Sequence, residues 1–185
     1  VDTLKDQLNS CSLRRTKDIL DLPKKTIIPE YIELNPDHEK FYRDIESGAI
    51  EEADRINIKS STLQGLITRL RQAATCPSTL TTKDIVETKI ERAIERAEEI
   101  ISNGEKVIIF SMFKDPIYKL AKSLSKYNPL IGTGDVSEEY MSRGIDEFQS
   151  NDSNKVYLGT IQKMSTGITL TSASYMILLD SPWTP

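Results

Sequence analysis

From Lys106 onward the chain alternates short apolar runs with amphipathic stretches, and that alternation leaves few architectures open. Residues 107–110 form a continuous apolar run, the pattern of a strand buried on both faces. Residues 129–131, 156–158 and 175–179 read as three further short strands. Between them, 116–126 places Ile117, Leu120, Ala121 and Leu124 at helical spacing. Ser137 is positioned to cap a second helix, with Glu138 and Glu139 in its first turn and Ile145 and Phe148 facing inward. Strands that alternate with helices predict a parallel sheet with right-handed crossovers, hence an α/β fold. Each apolar run ends in small, hydroxylated or charged residues, and open α/β sheets place ligands at the C-terminal ends of their strands.

The upstream half reads differently. Residues 27–34 alternate enough to predict a short strand. Asn35-Pro36 then reads as an N-cap with proline at the first helical position, and Phe41, Tyr42 and Ile45 give that helix an apolar face. Residues 48–60 are polar and read as a loop or a weak helix. Ser61 can cap a helix carrying Leu63, Leu66, Ile67, Leu70 and Ala74, closed by Pro77. The clearest helix is 84–102, with Val86, Ile90, Ala93, Ile94, Ala97 and Ile101 on one stripe and Asn103-Gly104 at its end. The expected division is 1–83 as a helical extension and 84–185 as the α/β lobe.

A net charge of −4 argues against a simple basic nucleic-acid binder. The excess is local, however. Residues 1–83 carry 13 basic and 13 acidic side chains, 106–185 carry 8 of each, and 84–105 carry 3 against 7. The acidic rows of 84–105 read as a solvated helix face, which leaves other surfaces free to present positive charge. Cys11 and Cys76 lie far apart, without a CxxC or partner histidines, and read as idle thiols of a reducing compartment. The single histidine, His38, leaves little material for a zinc site or a serine–histidine triad and is expected on a solvated surface. No run approaches a membrane span.

No G-x-x-x-x-G-K-[ST] is present to wrap nucleotide phosphates, and no Asp-Glu pair follows an apolar strand to hold magnesium. What is present is an ordered series of blocks: LRRTKDILDLPKKT, LITRLRQAATCPSTL, KVIIFSMF, IGTG with Arg143, Ile145 and Phe148, GTIQKMSTGITLTSAS and LLDSPWTP. In that order they resemble the second motor lobe of a Snf2-type superfamily-2 helicase or translocase. KVIIFSMF is similar to motif IV, GTIQKMSTGITLTSAS to motif V and LLDSPWTP to the Asp-x-x-Trp-Asn-Pro block. The resemblance implies a RecA-like parallel sheet flanked by helices, with an N-terminal helical extension that includes the interlobe segment. The series departs from the family at Met164-Ser165, where a Gly-Gly is usual. It also stops before the Gln-x-x-x-Arg-x-x-Arg helix of motif VI, so the expectation is a lobe truncated there.

The resemblance further implies an ATP-dependent DNA translocase, with ATP and Mg held mainly by a first RecA-like lobe absent from this chain. Double-stranded DNA would be gripped by its backbone, and no catalytic or metal-binding residue is expected here. Gly167 and Thr169 match positions that approach the nucleotide ribose; a tight turn with a hydroxyl bonded to local backbone is the equal alternative. Thr160, Gln162 and Lys163 follow a buried strand, where hydroxyl, amide and ammonium donors can hold a phosphate. Ser111, Gly132 and Thr133 can add phosphate contacts or simply build turns. Arg143 faces either DNA or Glu139 four residues earlier. Trp183 resembles a tryptophan beside the DNA track, or packs on the sheet. Arg14 and Arg15 are expected to brace the interlobe junction. The resemblance points to a cytoplasmic protein, nucleoid-associated, or nuclear in a eukaryote, with no ATPase activity in this chain alone. The alternative is a non-enzymatic, degenerate RecA-like module for protein docking or nucleic-acid binding. An RNA helicase lobe fits the Leu-Arg-Arg and Trp blocks less well.

Overall fold

The computed structural model describes residues 11–12, 25–55, 60–164 and 168–182. The chain divides into two compact units, Val1–Tyr31 and Ile32–Pro185. In the first, 25–31 has no regular structure and Ile27, Ile28 and Tyr31 are exposed. The strand expected over 27–34 is therefore not formed. Pro29 removes a backbone donor in the middle of the run, and alternation alone does not pair a strand.

The second unit opens with α1 (Pro36–Arg55). Asn35 Oδ1 accepts from Asp37 N at 3.2 Å, and its carbonyl accepts from Glu39 N at 2.8 Å, so the predicted start holds. The helix continues through 48–55, where a loop or weak helix was expected. α2 (Ser60–Thr75) ends before Pro77, which opens a 3₁₀ turn, Pro77–Thr79. α3 (Thr88–Ser102) buries Ile90, Ala93 and Ala97 and exposes the pairs Arg92–Glu95 and Arg96–Glu99, both at 2.7 Å. Gly104 at φ +86° completes a Schellman end: Gly104 N donates to Ile101 O and Glu105 N to Ile100 O.

His38 is a correction. It is fully buried, not solvated. Its Nε2 lies 2.8 Å from the Ala73 carbonyl, which can only accept, so Nε2 carries the proton. Nδ1 is then free to accept from Thr88 N at 3.4 Å, and Thr88 Oγ1 lies 3.3 Å away. One imidazole thus ties α1, α2 and α3 together.

The lobe then alternates as expected: β1 (Val107–Ser111), α4 (Lys114–Ser123), β2 (Leu130–Gly132), α5 (Glu138–Ser150), β3 (Val156–Thr160), α6 (Ile161–Met164) and β4 (Tyr175–Leu178). The four strands are all parallel, in the order β2-β3-β1-β4. Strand periodicity sends Val107, Ile109, Val156 and Leu158 to one face, against α3 and α4 through Ile90, Ala93, Ile117, Leu120 and Leu124. Ile108 and Tyr157 go to the other, with Met141 and Phe148 of α5 and with Met164. Phe148 and Tyr157 meet edge to face with centroids 5.5 Å apart. Lys106, also buried, donates to the carbonyls of Phe148 and Asn151 at 2.6 and 3.0 Å, closing the C-terminal end of α5.

Candidate nucleic-acid interface at the strand ends

Three parallel strands, β1, β2 and β3, deliver their C-terminal ends to one groove of about 400 Å³. Met112, Phe113 and Lys114 reach it after β1, Gly134 after β2, and Thr160, Gln162 and Lys163 from the end of β3. Two ammonium groups, a hydroxyl and an amide are thereby placed together beside an apolar pair, Met112 and Phe113. Such a set can hold an oxyanion through charge-assisted and neutral hydrogen bonds. Each lysine has a carboxylate partner. Lys114 Nζ pairs with Asp135, and Lys163 Nζ lies 3.3 Å from Glu138 Oε1.

Of the residues singled out from sequence, Thr160, Gln162 and Lys163 line this groove. Ser111, Gly132 and Thr133 are buried, at the strand ends beneath it. Ser111 Oγ donates to Asp180 Oδ2 at 2.7 Å and accepts from Phe113 N at 3.1 Å. Thr133 Oγ1 shares a hydrogen bond with Tyr118 OH at 2.9 Å. A Cβ on Gly132 would stand 2.5 Å from Met164 Sδ, and one on Gly159 would stand 2.6 Å from Met164 Cγ. Met164 therefore fills the space that two glycines leave bare, and it is 7% exposed. Arg143 is exposed on α5 and pairs with Glu139 at 3.3 Å, outside the groove lining. Thr169 is exposed, and its carbonyl accepts from Gln149 Nε2 at 3.1 Å. Gly167, Trp183, Arg14 and Arg15 lie outside the described residues.

Lys114, Gly134 and the Asp180 node were missed in the sequence. Asp180 accepts from Ser111 Oγ through one oxygen and from Met112 N, at 2.8 Å, through the other. Arg71 of α2 approaches the same carboxylate at 3.8 Å and donates to the Ser181 carbonyl. The end of β4 is thus tied to the end of β1, and Met112 is fixed at the groove wall. The signals were present, since Lys114 follows motif IV directly and Asp180 opens the Asp-x-x-Trp block. Neither could be oriented without the sheet order. A second cavity, of about 360 Å³, borders this node between Arg71, Thr75, Lys89 and Pro182. Burial lowers the Lys89 ammonium below its ordinary value; Asp180 opposes that shift and Arg71 adds to it.

Comparison with known proteins gives this arrangement its context. The model of the helicase conserved C-terminal domain matches residues 90–185. An uncharacterized ATP-dependent helicase of Mycoplasma pneumoniae is 32% identical over 178 residues, which is 92% of this chain and 17% of that protein. The SNF2 domain-containing protein CLASSY 3 of Arabidopsis thaliana is 31% identical over 74% of this chain and 9% of its own length. This chain therefore spans only a small part of such relatives. Among solved structures, the Sulfolobus solfataricus SWI2/SNF2 ATPase core domain matches with a TM-score of 0.79 and 26% identity, over 99% of this chain and 41% of that one. The same core in complex with dsDNA matches with a TM-score of 0.75 over 97% of this chain and 41% of that one, again at 26% identity. The family match, the helicase relatives and the fold shared with the SWI2/SNF2 core agree, and the chain belongs to the helicase conserved C-terminal domain family, as a lobe of the Snf2 type.

Proposed function

We propose that this chain is the C-terminal motor lobe of an ATP-dependent DNA translocase and that the strand-end groove grips the phosphate backbone of double-stranded DNA. The observation that carries the reading is the convergence of Thr160, Gln162, Lys163 and Lys114 at the ends of β1 and β3. Ammonium, hydroxyl and amide donors are the groups that contact phosphate oxygens, and the groove collects all three kinds. Its chemistry is that of sequence-independent backbone contact, whose affinity falls with salt. The likeness to a SWI2/SNF2 core bound to dsDNA supports this choice of ligand. Ser111, Gly132 and Thr133 shape the groove from beneath in this reading, and Arg143 adds a peripheral positive charge.

The nucleotide would lie between this lobe and an N-terminal RecA-like lobe, with Gly167 and Thr169 facing the ribose. ATP use follows the naming of the helicase relatives. Among the described residues no group of three or more His, Cys, Asp or Glu side chains is placed to hold a metal ion. The reading assigns Mg²⁺ and the phosphate cradle to the first lobe. ATP binding and hydrolysis would close and reopen the two lobes, and each would hold the backbone in turn. Met164, one of the departures from the family that favour a docking-only module, is packed against the sheet and does not line the groove.

The test is a duplex titration of the 185-residue chain at several salt concentrations, with an ATPase assay alongside. Expected are weak, salt-sensitive binding, loss of affinity in Thr160→Ala and Lys163→Ala, and no ATP turnover. Unchanged affinity in both variants overturns the groove assignment. Turnover at an ordinary enzymatic rate overturns the division of labour between lobes.

A further inference from the structure

Both lysines of the groove are held by carboxylates from one short stretch between β2 and the first turn of α5. Asp135 pairs with Lys114, and Glu138 with Lys163. The Asp135 carboxylate is also aimed, because Tyr118 OH donates to its second oxygen at 3.2 Å while bonding Thr133. The hydrogen bond to Asp135 raises the Lys114 ammonium above its ordinary value, and the same bond holds the Asp135 carboxyl below its own. Gly134 passes beside Lys114, where an added Cβ would meet Nζ at 4.0 Å. Lys163 is 30% exposed against 89% for Glu138, so the carboxylate reaches the lysine from the solvent side.

We infer that Lys114 is a further phosphate ligand of the groove and that Asp135 and Glu138 are resident stand-ins for two phosphates of a bound strand, exchanged for them on binding. The inference rests on the groove reading above and deepens it. A carboxylate and a phosphodiester both offer paired oxygens to an ammonium, so each lysine trades one oxyanion for another and is never left unpaired. The carboxylates keep the lysines oriented while the groove is empty. Once displaced, they remain nearby and repel the incoming phosphates, which weakens the grip. A motor lobe that must release its track in every cycle gains from a grip limited in this way.

The experiment titrates a fluorescent 20-base-pair duplex into the 185-residue chain at several potassium chloride concentrations, with a thermal melt of each variant. Asp135→Asn with Glu138→Gln is expected to tighten binding about two- to tenfold, the scale of exposed ion pairs. Lys114→Ala is expected to weaken binding and to reduce the log–log salt slope by about one. Glu138→Gln alone makes no change at Tyr118 or Thr133, and it should tighten binding by a smaller factor even if Asp135→Asn perturbs the fold. Unchanged or weaker binding in Glu138→Gln and in the double variant, with melts preserved, overturns the stand-in role. If Lys163→Ala and Thr160→Ala weaken binding while Lys114→Ala does not, the ligand role of Lys114 is overturned and the groove survives. If none of the three weakens binding, the groove reading itself has failed.

Discussion

Met164 occupies the position where the family resemblance leads one to expect a glycine, and the structure shows how the side chain is accommodated. Gly132 at the end of β2 and Gly159 in β3 lack the Cβ atoms that would collide with it. The thioether takes that space and joins Ile108, Phe148 and Tyr157 in the second core cluster. It therefore stays out of the groove that its neighbours Gln162 and Lys163 line. Gly132, Gly159 and Met164 act as one packing unit, and they should couple energetically. Gly159→Ala is expected to cost about 1–3 kcal/mol through overpacking, and Met164→Ala about 2–4 kcal/mol through the cavity it leaves. In the double variant the new methyl group enters the vacated space, so the loss should fall short of the sum by about 1 kcal/mol or more. Chemical denaturation of the four proteins measures this directly; strict additivity would show that Met164 does not sit over Gly159.

At the scale of elements, the best-read parts of the chain were those whose local signals agree with one another. Asn35-Pro36, the Ser137 cap and Asn103-Gly104 mark helix ends as expected, and Ser137 accepts from Tyr140 N at 3.2 Å. The start of α3 was misplaced for a tertiary reason. The apolar stripe predicted a helix from Asp84, yet it begins at Thr88 and leaves Val86 41% exposed. Glu87, at the N-cap position, does not cap. Its carboxylate accepts from Ser78 N at 3.1 Å, from Cys76 Sγ at 3.4 Å and from Lys119 Nζ at 2.6 Å, joining the 3₁₀ turn, α3 and α4. Burial pushes this carboxyl upward, but the hydrogen bonds from Lys119 and Ser78 outweigh it, and the net position lies below the usual carboxylate range. The same burial drives the Cys76 thiol up to about 11. Because the folded carboxyl is depressed, its stabilisation is present above the unfolded value of 4.5 and is lost as pH falls through the folded value. Glu87→Gln should cost about 1.5–3 kcal/mol at neutral pH. The gap between wild type and variant should narrow on acidification below about pH 4.5. Thermal melts at pH 7, 5 and 3.5 provide the check, and a gap that widens in acid refutes the assigned role.

For the whole molecule, strand order decided what could and could not be read beforehand. Alternation gave the parallel α/β sheet, because buried strands and amphipathic helices each carry their own period. Thr160, Gln162 and Lys163 were legible as groove residues because one strand, β3, and the helical turn directly after it carry them. Lys114 and Asp180 were not, because their roles depend on β1 lying between β3 and β4, a fact no local window contains. Among the described residues the same order makes β4 an edge strand, hydrogen-bonded to β1 alone, with Tyr175, Met176 and Leu178 about half exposed. An edge strand that carries large apolar side chains is a template for pairing with another chain. The 185-residue chain is therefore expected to self-associate as its concentration rises. Met176→Lys places a charge on that edge and should shift the weight-average mass toward the monomer, without lowering the melting temperature by more than about 2 °C. Light scattering coupled to size exclusion reads both proteins over a tenfold concentration range. A wild-type chain that stays monomeric throughout refutes the edge as an association site. Association undiminished in the Met176→Lys variant places the contact elsewhere on the lobe.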